Sequence, residues 1–441
     1  MSRFLLADRR LRPLFLCQGL SALADNLLRN ALGVLALWSA GGRGDGAGWM
    51  VAAAAGAFVA PAALLSGLGG ELADRMDKAR LIRRLKLADA AIAIAAAAAL
   101  AAGDPGAVFA ALVAAGIVSA LFGPVKYGIL PDQLAPGRLA ASNALVEGAT
   151  FAAILAGTLG ASLLAGRRDG APLIAALVAA AAALSWAIAC AIPATPPAAP
   201  ALRVRANLLA STLDLVRALQ ADRRSWHAAL ATAWFWMVGV AVLSLLPALV
   251  HDTLGGSAAL NGLFLALFAA GIACGSAIAS FLAGGRVVLL TAVPGCALTG
   301  LSLCAAWLLT RATHPGAGAS SWPLCLALFA AATGAGMLAV PTQAAVQAWA
   351  APERRARAVG GTNVLAAVGM ALASALLVLA QTRGVGAPAL LGVVGALCLL
   401  LAPALLALPR DPRGELAWLL CRLRLAHGET LLCAGQAADP P

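Results

Sequence analysis

Two groups of polar side chains stand inside otherwise apolar stretches, and they are the residues best able to do chemistry. The first is Ser21-Ala-Leu-Ala-Asp25-Asn26-Leu-Leu-Arg29-Asn30, with Gln18 just before it. Asp25 and Arg29 are four residues apart, as are Asn26 and Asn30, so each pair shares one face of a helix. The second is Phe122-Gly123-Pro124-Val-Lys126-Tyr127-Gly128, followed by Ser142-Asn143-Ala-Leu-Val-Glu147, where Asn143 and Glu147 again share a face. Asn363, and with it Asn261, supplies the matching polar residue later in the chain. No nucleophile stands beside a base, and no Cys/His spacing resembles a metal site, so neither enzyme chemistry nor a metal or cofactor is expected. The chemistry these residues suit is charge recognition. An ammonium such as Lys126 suits a phosphate or a carboxylate, and Asp25 or Glu147 suits an ammonium. Two plainer readings stand beside this one: Asp25 and Arg29 as an internal pair that only locks helices, and Lys126 as a lysine snorkelling to an interface.

The setting of these residues is a membrane. Of the 441 residues, 62% are hydrophobic and only 11% charged, far below the ~25% charged of a soluble domain. A charge at mid-bilayer costs about 2.5–3.5 kcal/mol on insertion scales, so Asp25 and Arg29 must face protein or water. Apolar segments of spanning length fall at 13–38, 48–69, 87–103, 106–124, 142–165, 171–192, 226–249, 258–283, 287–310, 322–347, 357–380 and 386–408. With the N-terminus inside, 25 of the Lys and Arg residues lie in cytoplasmic segments and five in outer loops. That asymmetry places both termini in the cytoplasm. It also explains the net charge of +12 without nucleic acid. Arg29 is the one arginine that topology does not explain. The nine cysteines read as small core residues.

The expected fold is therefore an all-α membrane protein of twelve transmembrane helices in two six-helix halves. The halves are 1–192 and 226–408, joined by a cytoplasmic linker, 193–225, and followed by a cytoplasmic tail, 409–441. The linker begins with a Pro-rich spacer and continues as an amphipathic helix over Asn207 to Ala221. There Leu208, Leu209, Leu213, Val216 and Leu219 oppose Asp214, Arg217 and Gln220, the pattern of a strap between halves. A faint repeat supports duplication. Gly123-Pro124, Pro136-Gly-Arg138 and Ser142-Asn143 recur in the same order as Val340-Pro341, Pro352-Glu-Arg354 and Thr362-Asn363.

Between the second and third segments lies Gly70-Glu-Leu-Ala-Asp74-Arg75-Met-Asp77-Lys78-Ala-Arg80. This resembles the signature of the major facilitator superfamily, with Asp77 in place of a usual glycine. Asp74 is a fixed anion at a helix boundary, able to accept from a helix N-terminus or to pair with arginines of the opposite half. The resemblance implies that Gly70, Asp74, Arg75, Lys78 and Arg80 form the latch of the outward-open state in an alternating-access cycle.

A narrower resemblance rests on Asp25-Asn26-Leu-Leu-Arg29-Asn30-Ala-Leu, Asp77-Lys78-Ala-Arg80-Leu-Ile-Arg83, Phe122-Gly123-Pro124-Val-Lys126-Tyr127-Gly128-Ile-Leu-Pro131 and Asn143-Ala-Leu-Val-Glu147-Gly-Ala-Thr150-Phe. Over about residues 4–410 the chain looks like the bacterial lysophospholipid transporter family. It is similar above all to the transporter module often fused to a 2-acylglycerophosphoethanolamine acyltransferase. The resemblance implies inward movement of lysophosphatidylethanolamine-like lipids across the bacterial inner membrane for reacylation, with Asp25 and Lys126 on headgroup positions. Some members carry an Arg in the seventh helix; Val242-Leu243-Ser244 has none, which leaves Arg29 or Lys126 as the cationic partner. The expected substrate-binding set is Asp25, Asn26, Arg29, Asn30, Lys126, Tyr127, Asn143, Glu147 and Asn363. The expected partners are the lysophospholipid, membrane lipids and a separate acyltransferase on the cytoplasmic side, since the tail has no His-x4-Asp; the chain is expected to be a monomer. The rival is a proton-coupled exporter of drugs or small metabolites, with Asp25 and Glu147 as proton carriers.

Overall fold

In lipid every backbone N–H and C=O must be paired within its own segment, so an Ala/Leu-rich chain forms long helices. A computed structural model of the chain describes residues 8–39, 47–165, 167, 169–204, 207–312, 322–408 and 411–423. The long helices are α1 (Leu11–Ser39), α2 (Ala47–Arg75), α3 (Lys78–Ala102), α4 (Pro105–Gly128), α5 (Leu139–Ala165) and α6 (Gly170–Ala189). A linker helix (Leu208–Ala221) separates them from α7 (Arg223–Ala248), α8 (Ala258–Ala283), α9 (Ala292–Ala312), α10 (Trp322–Trp349), α11 (Arg355–Thr382) and α12 (Ala387–Leu401). A tail helix, Pro412–Arg422, follows, and no strand occurs among the described residues. Among the described residues ten helices, α3 to α12, are long and apolar enough to cross a membrane. The first two apolar segments of the sequence fall on α1 and α2.

Helix packing repeats with an offset of six. In the first set α1 packs on α5, α2 on α4, and α3 on α4 and α6; in the second α7 packs on α11, α8 on α10, and α9 on α10 and α12. Contacts between the two sets run mainly through α2 against α11 and α5 against α8. The faint sequence repeat has a matching structural form. Pro124 and Pro341 lie inside α4 and α10, and the 3-10 turns Pro136–Arg138 and Pro352–Arg354 precede α5 and α11.

Pro124 does not break its helix. A proline frees the carbonyl four residues earlier; here that is Ala120, and Ser66 Oγ of α2 donates to it at 3.4 Å. The 2–3 connection is also shorter than expected. α3 begins at Lys78, capped by Asp77, whose side chain accepts from the amides of Ala79 and Arg80. Lys78 and Lys86, which the expected segments 48–69 and 87–103 leave in the connection between them, are therefore on a spanning helix and are 0% and 1% exposed.

The linker helix packs by a different face from the one its leucines suggest. Ser211, Thr212, Leu215 and Leu219 are buried, whereas Leu209 and Leu213 are 62% and 53% exposed. Ser211 Oγ donates to Glu71 at 2.5 Å and Thr212 Oγ1 to the Leu64 carbonyl at 3.2 Å, so small hydroxyl residues seat the helix on α2. The cysteines also depart from the expected uniform role: Cys17, Cys296 and Cys398 are buried thiols, but Cys190 is exposed and Cys421 is disulfide-bonded. In the tail helix, Trp418 Nε1 donates to the Leu282 carbonyl at 3.1 Å, and Glu415 accepts from the Leu290 amide at 2.8 Å.

Candidate functional site

A cavity of about 330 Å³ lies between the two sets of helices. Its polar wall comes from α1 and α4. On α1, Gln18, Ser21, Asp25, Asn26 and Arg29 fall on one helical stripe, and all of them line the cavity. On α4, Lys126 and Tyr127 line it. The opposite wall, from α7 and α11, is apolar: Phe235, Trp236, Val240 and Leu243 face Ala366, Ala367 and Met370, with Asn363 the polar exception. Phe151 of α5 closes the aromatic corner, stacked on Trp236 and edge-on to Phe235, both at 6.1 Å between centroids.

The charges on the polar wall are not neutralised by one another. Asp25 and Arg29 do not form an ion pair; Arg29 donates instead to Asn26 Oδ1. This corrects the reading of Asp25–Arg29 as a locking pair. Asp25 makes no hydrogen bond or ion pair among the described residues. Lys126 Nζ lies 4.7 Å from the Tyr127 ring centroid and likewise has no ion pair among the described residues. It faces the cavity, so the snorkelling reading is corrected too.

Three of the expected substrate-binding residues are elsewhere. Asn30 does not line the cavity; its amide donates to the Asn26 carbonyl at 2.7 Å and to Thr158 Oγ1 at 3.3 Å. Glu147 is buried behind the wall, where it accepts from the Tyr127 hydroxyl, and its Oε2 has no partner. It pairs with neither Arg29 nor Lys126. Asn143 is fully buried and engages Gln347 of α10 in a reciprocal amide pair at 2.8 and 3.0 Å. The reason is geometric. Residues 143 and 147 share a face, but that face of α5 points at α4 and α10, not at the cavity. Asn261 also lies outside the cavity, with a buried Oδ1 that has no partner.

The end of the bundle beside the 2–3 connection is closed by contacts between the two sets of helices. Asp74, 0% exposed, accepts from the amides of Ala356 and Arg357 at 3.1 and 3.2 Å and from Arg357 Nε at 3.1 Å. The carboxylate thus caps the start of α11 and pairs with its arginine, both favourable at a helix N-terminus. Gly70 permits this approach, because a Cβ there would lie 2.8 Å from Ala356 O and Arg357 Cα. Lys78 Nζ binds Asp132 Oδ2 at 2.7 Å, and Arg355 Nη1 binds Asp132 Oδ1 at 3.0 Å. Arg355 Nε also donates to the Gln347 carbonyl at 3.0 Å, which joins the ion-pair cluster to the Asn143–Gln347 pair. Gly70, Asp74 and Lys78 are therefore in the closing contacts. Arg75 and Arg80 are exposed and their side chains have no partner among the described residues, so they are not. Asp132, Gln347, Arg355 and Arg357 complete these contacts and were not singled out from the sequence; the repeat at Pro352-Glu-Arg354 pointed to that turn without reaching them.

Two helix sets repeated with an offset of six, a polar cavity between them and closing contacts at one end define a membrane transporter. A profile of the Major Facilitator Superfamily matches residues 14–313, and the chain belongs to that family. Among relatives it is similar to the lysophospholipid transporter LplT of Cronobacter sakazakii, with 27% identity over 361 residues, covering 77% of this chain and 80% of that one. It is also similar to the lysophospholipid transporter LplT of Salmonella gallinarum, with 28% identity over 367 residues, covering 82% and 84%. Among solved structures, the human organic anion transporter MFSD10 superposes with a TM-score of 0.71 at 22% identity, over 90% of this chain and 99% of that one. A bacterial homologue of the iron transporter ferroportin, in an outward-facing state, gives 0.67 at 17% identity, over 92% and 98%. These structural likenesses concern the fold.

Proposed function

We propose that this chain moves lysophospholipids, of the lysophosphatidylethanolamine type, inward across the bacterial inner membrane by alternating access, and so supplies them for reacylation. The observation that carries the reading is the division of the cavity. A lysolipid has a charged head and a single acyl chain. Arg29 and Lys126 suit its phosphate and Asp25 its ammonium, and all three lie on the α1/α4 wall, where none of them forms an ion pair among the described residues. The Phe235, Trp236, Leu243 and Met370 wall opposite suits the chain. The relatives named as lysophospholipid transporters support the same substrate class. In this reading the bundle has twelve spanning helices in two halves, 1–192 and 226–408, with both termini in the cytoplasm. The Asp74–Arg357 and Lys78–Asp132–Arg355 contacts then close the inner exit. The acyltransferase that consumes the product acts on the cytoplasmic side from a separate chain, and the transporter works as a monomer.

The test is uptake of labelled lysophosphatidylethanolamine by spheroplasts expressing the chain, with Asp25→Ala and Lys126→Ala alongside. The expected result is uptake by the wild type and loss of about ten- to a hundredfold in each variant, the worth of one charged hydrogen bond of about 1.5–3 kcal/mol. Normal uptake by both variants overturns the site. A folded wild type that takes up no lysolipid and confers drug resistance instead identifies an exporter.

A further inference from the structure

Behind the polar wall stands a second charged cluster, which the cavity itself does not use. Lys86 and Asp89, one turn apart on α3, are 1% and 7% exposed. Lys86 Nζ lies 3.0 Å from Asp89 Oδ2 and donates to Ser21 Oγ at 2.5 Å. Ser21 Oγ in turn donates to Asp89 Oδ2 at 2.9 Å, which closes a ring of three. The ammonium also stands 4.0 Å over the centre of the Phe122 ring. Ser21 and Phe122 line the cavity, and Lys86 and Asp89 do not. Ser21 is one helical turn before Asp25, on the same stripe of α1.

A buried pair of this kind is weak evidence for a role in stability. A buried ion pair is often matched or bettered by apolar side chains of the same volume. What the pair adds is two opposite fixed charges one side chain away from the cavity surface, where the surrounding protein screens them far less than water does. While the pair is neutral, the wall carries Asp25 against Arg29 and Lys126, one net positive charge. Loss of Asp89 alone raises it to two, and loss of Lys86 alone brings it to zero.

We infer that the Lys86–Asp89 pair sets the headgroup-charge selectivity of the cavity, acting through Ser21 and Phe122. These are positioning residues: they hold the α1 stripe that presents Asp25 and balance the wall so that a zwitterionic head is taken in preference to an anionic one. The inference rests on the lysophospholipid reading above.

The experiment measures uptake of lysophosphatidylethanolamine and lysophosphatidylglycerol by the same spheroplasts and reads the anionic-to-zwitterionic ratio, which cancels differences in expression. Asp89→Asn is expected to raise the ratio by about tenfold and Lys86→Met to lower it by about tenfold, the effect of one uncompensated charge acting across a partly buried site. The combined K86M/D89N variant is expected to return to the wild-type ratio. A merely structural pair would lower both uptakes by the same factor and leave the ratio unchanged, which overturns the inference. If the single variants fail to reach the membrane, the exchanged pair K86D/D89K decides. It stays neutral and inverts the two charges at the wall, so a ratio within about threefold of wild type overturns the inference. A wild type that takes up neither lipid is a failure of the substrate reading itself, and the inference falls with it.

Discussion

The closing end and the cavity are built from the same kinds of residue and use them in opposite ways. At the closing end the buried charges among the described residues have partners. Asp74 is held by Arg357 and two backbone amides, and Lys78 by Asp132, which also binds Arg355 at the surface. In the cavity Asp25 and Lys126 face open space with no ion pair among the described residues. Only about 12 Å of α2 separates the two regions, from Ser66 at the cavity to Asp74 at the end. Charges that satisfy one another hold a conformation. Charges left unsatisfied in a water-accessible cavity are held ready for a ligand, because binding can repay their desolvation only if no protein group already does.

This contrast can be broken in graded ways. The largest effect is expected in the cavity, where Asp25→Ala removes a charge that makes no hydrogen bond or ion pair among the described residues. Transport should fall by about ten- to a hundredfold with little change in thermal stability. A large drop in melting temperature would show that Asp25 is a structural residue after all. At the closing end the pattern should reverse. Asp74→Asn is expected to cost about 3 kcal/mol, the lower end for a buried pair because Arg357 remains partly solvated. Hydrogen exchange at the Ala356 and Arg357 amides should accelerate accordingly, and unchanged protection there would mean that Asp74 does not hold the end shut.

A smaller effect is expected from the uncharged link between α5 and α10. Asn143→Ala and Gln347→Ala should each cost about 1–3 kcal/mol, since each leaves a buried amide unpaired. Because the two amides bond each other, the double variant should cost clearly less than the sum. Additive losses in denaturation would show that the pair is not the interaction each residue makes. The smallest effect is expected at Arg75 and Arg80. Although they belong to the signature, replacing either with alanine should move stability by no more than about 0.5 kcal/mol. A loss of protection at α11 comparable to that of Asp74→Asn would place them back in the closing contacts.

The structure also shows why some sequence inferences transfer and others do not. The Gly70/Asp74 spacing is local to one helix and identifies a helix end that another element can approach. The partner, Arg357, is 283 residues away along the chain, and no periodicity connects the two. Asn143 and Glu147 share a face by spacing, but spacing is silent on whether that face meets lipid, a neighbouring helix or the cavity. The linker helix makes the same point. Its leucines define an amphipathic pattern, yet the buried face is Ser211, Thr212, Leu215 and Leu219, because Gly67 on α2 leaves the space that Leu215 and Thr212 occupy.

Taken alone, the sequence determined the all-helical membrane class, the positions of the apolar segments and the polar stripe of α1. Each of these follows from hydropathy and from a 3.6-residue period along a single segment. Only the tertiary structure decided which polar residues share the cavity. It also decided that Asp25 and Arg29 do not pair, that Lys86 is a buried partner of Asp89 and not a loop cation, and that Asp132, Gln347, Arg355 and Arg357 complete the closing end. The physical reason is that a helix can rotate about its axis without changing its own hydrogen bonds. Which face turns inward is set by side chains tens to hundreds of residues away.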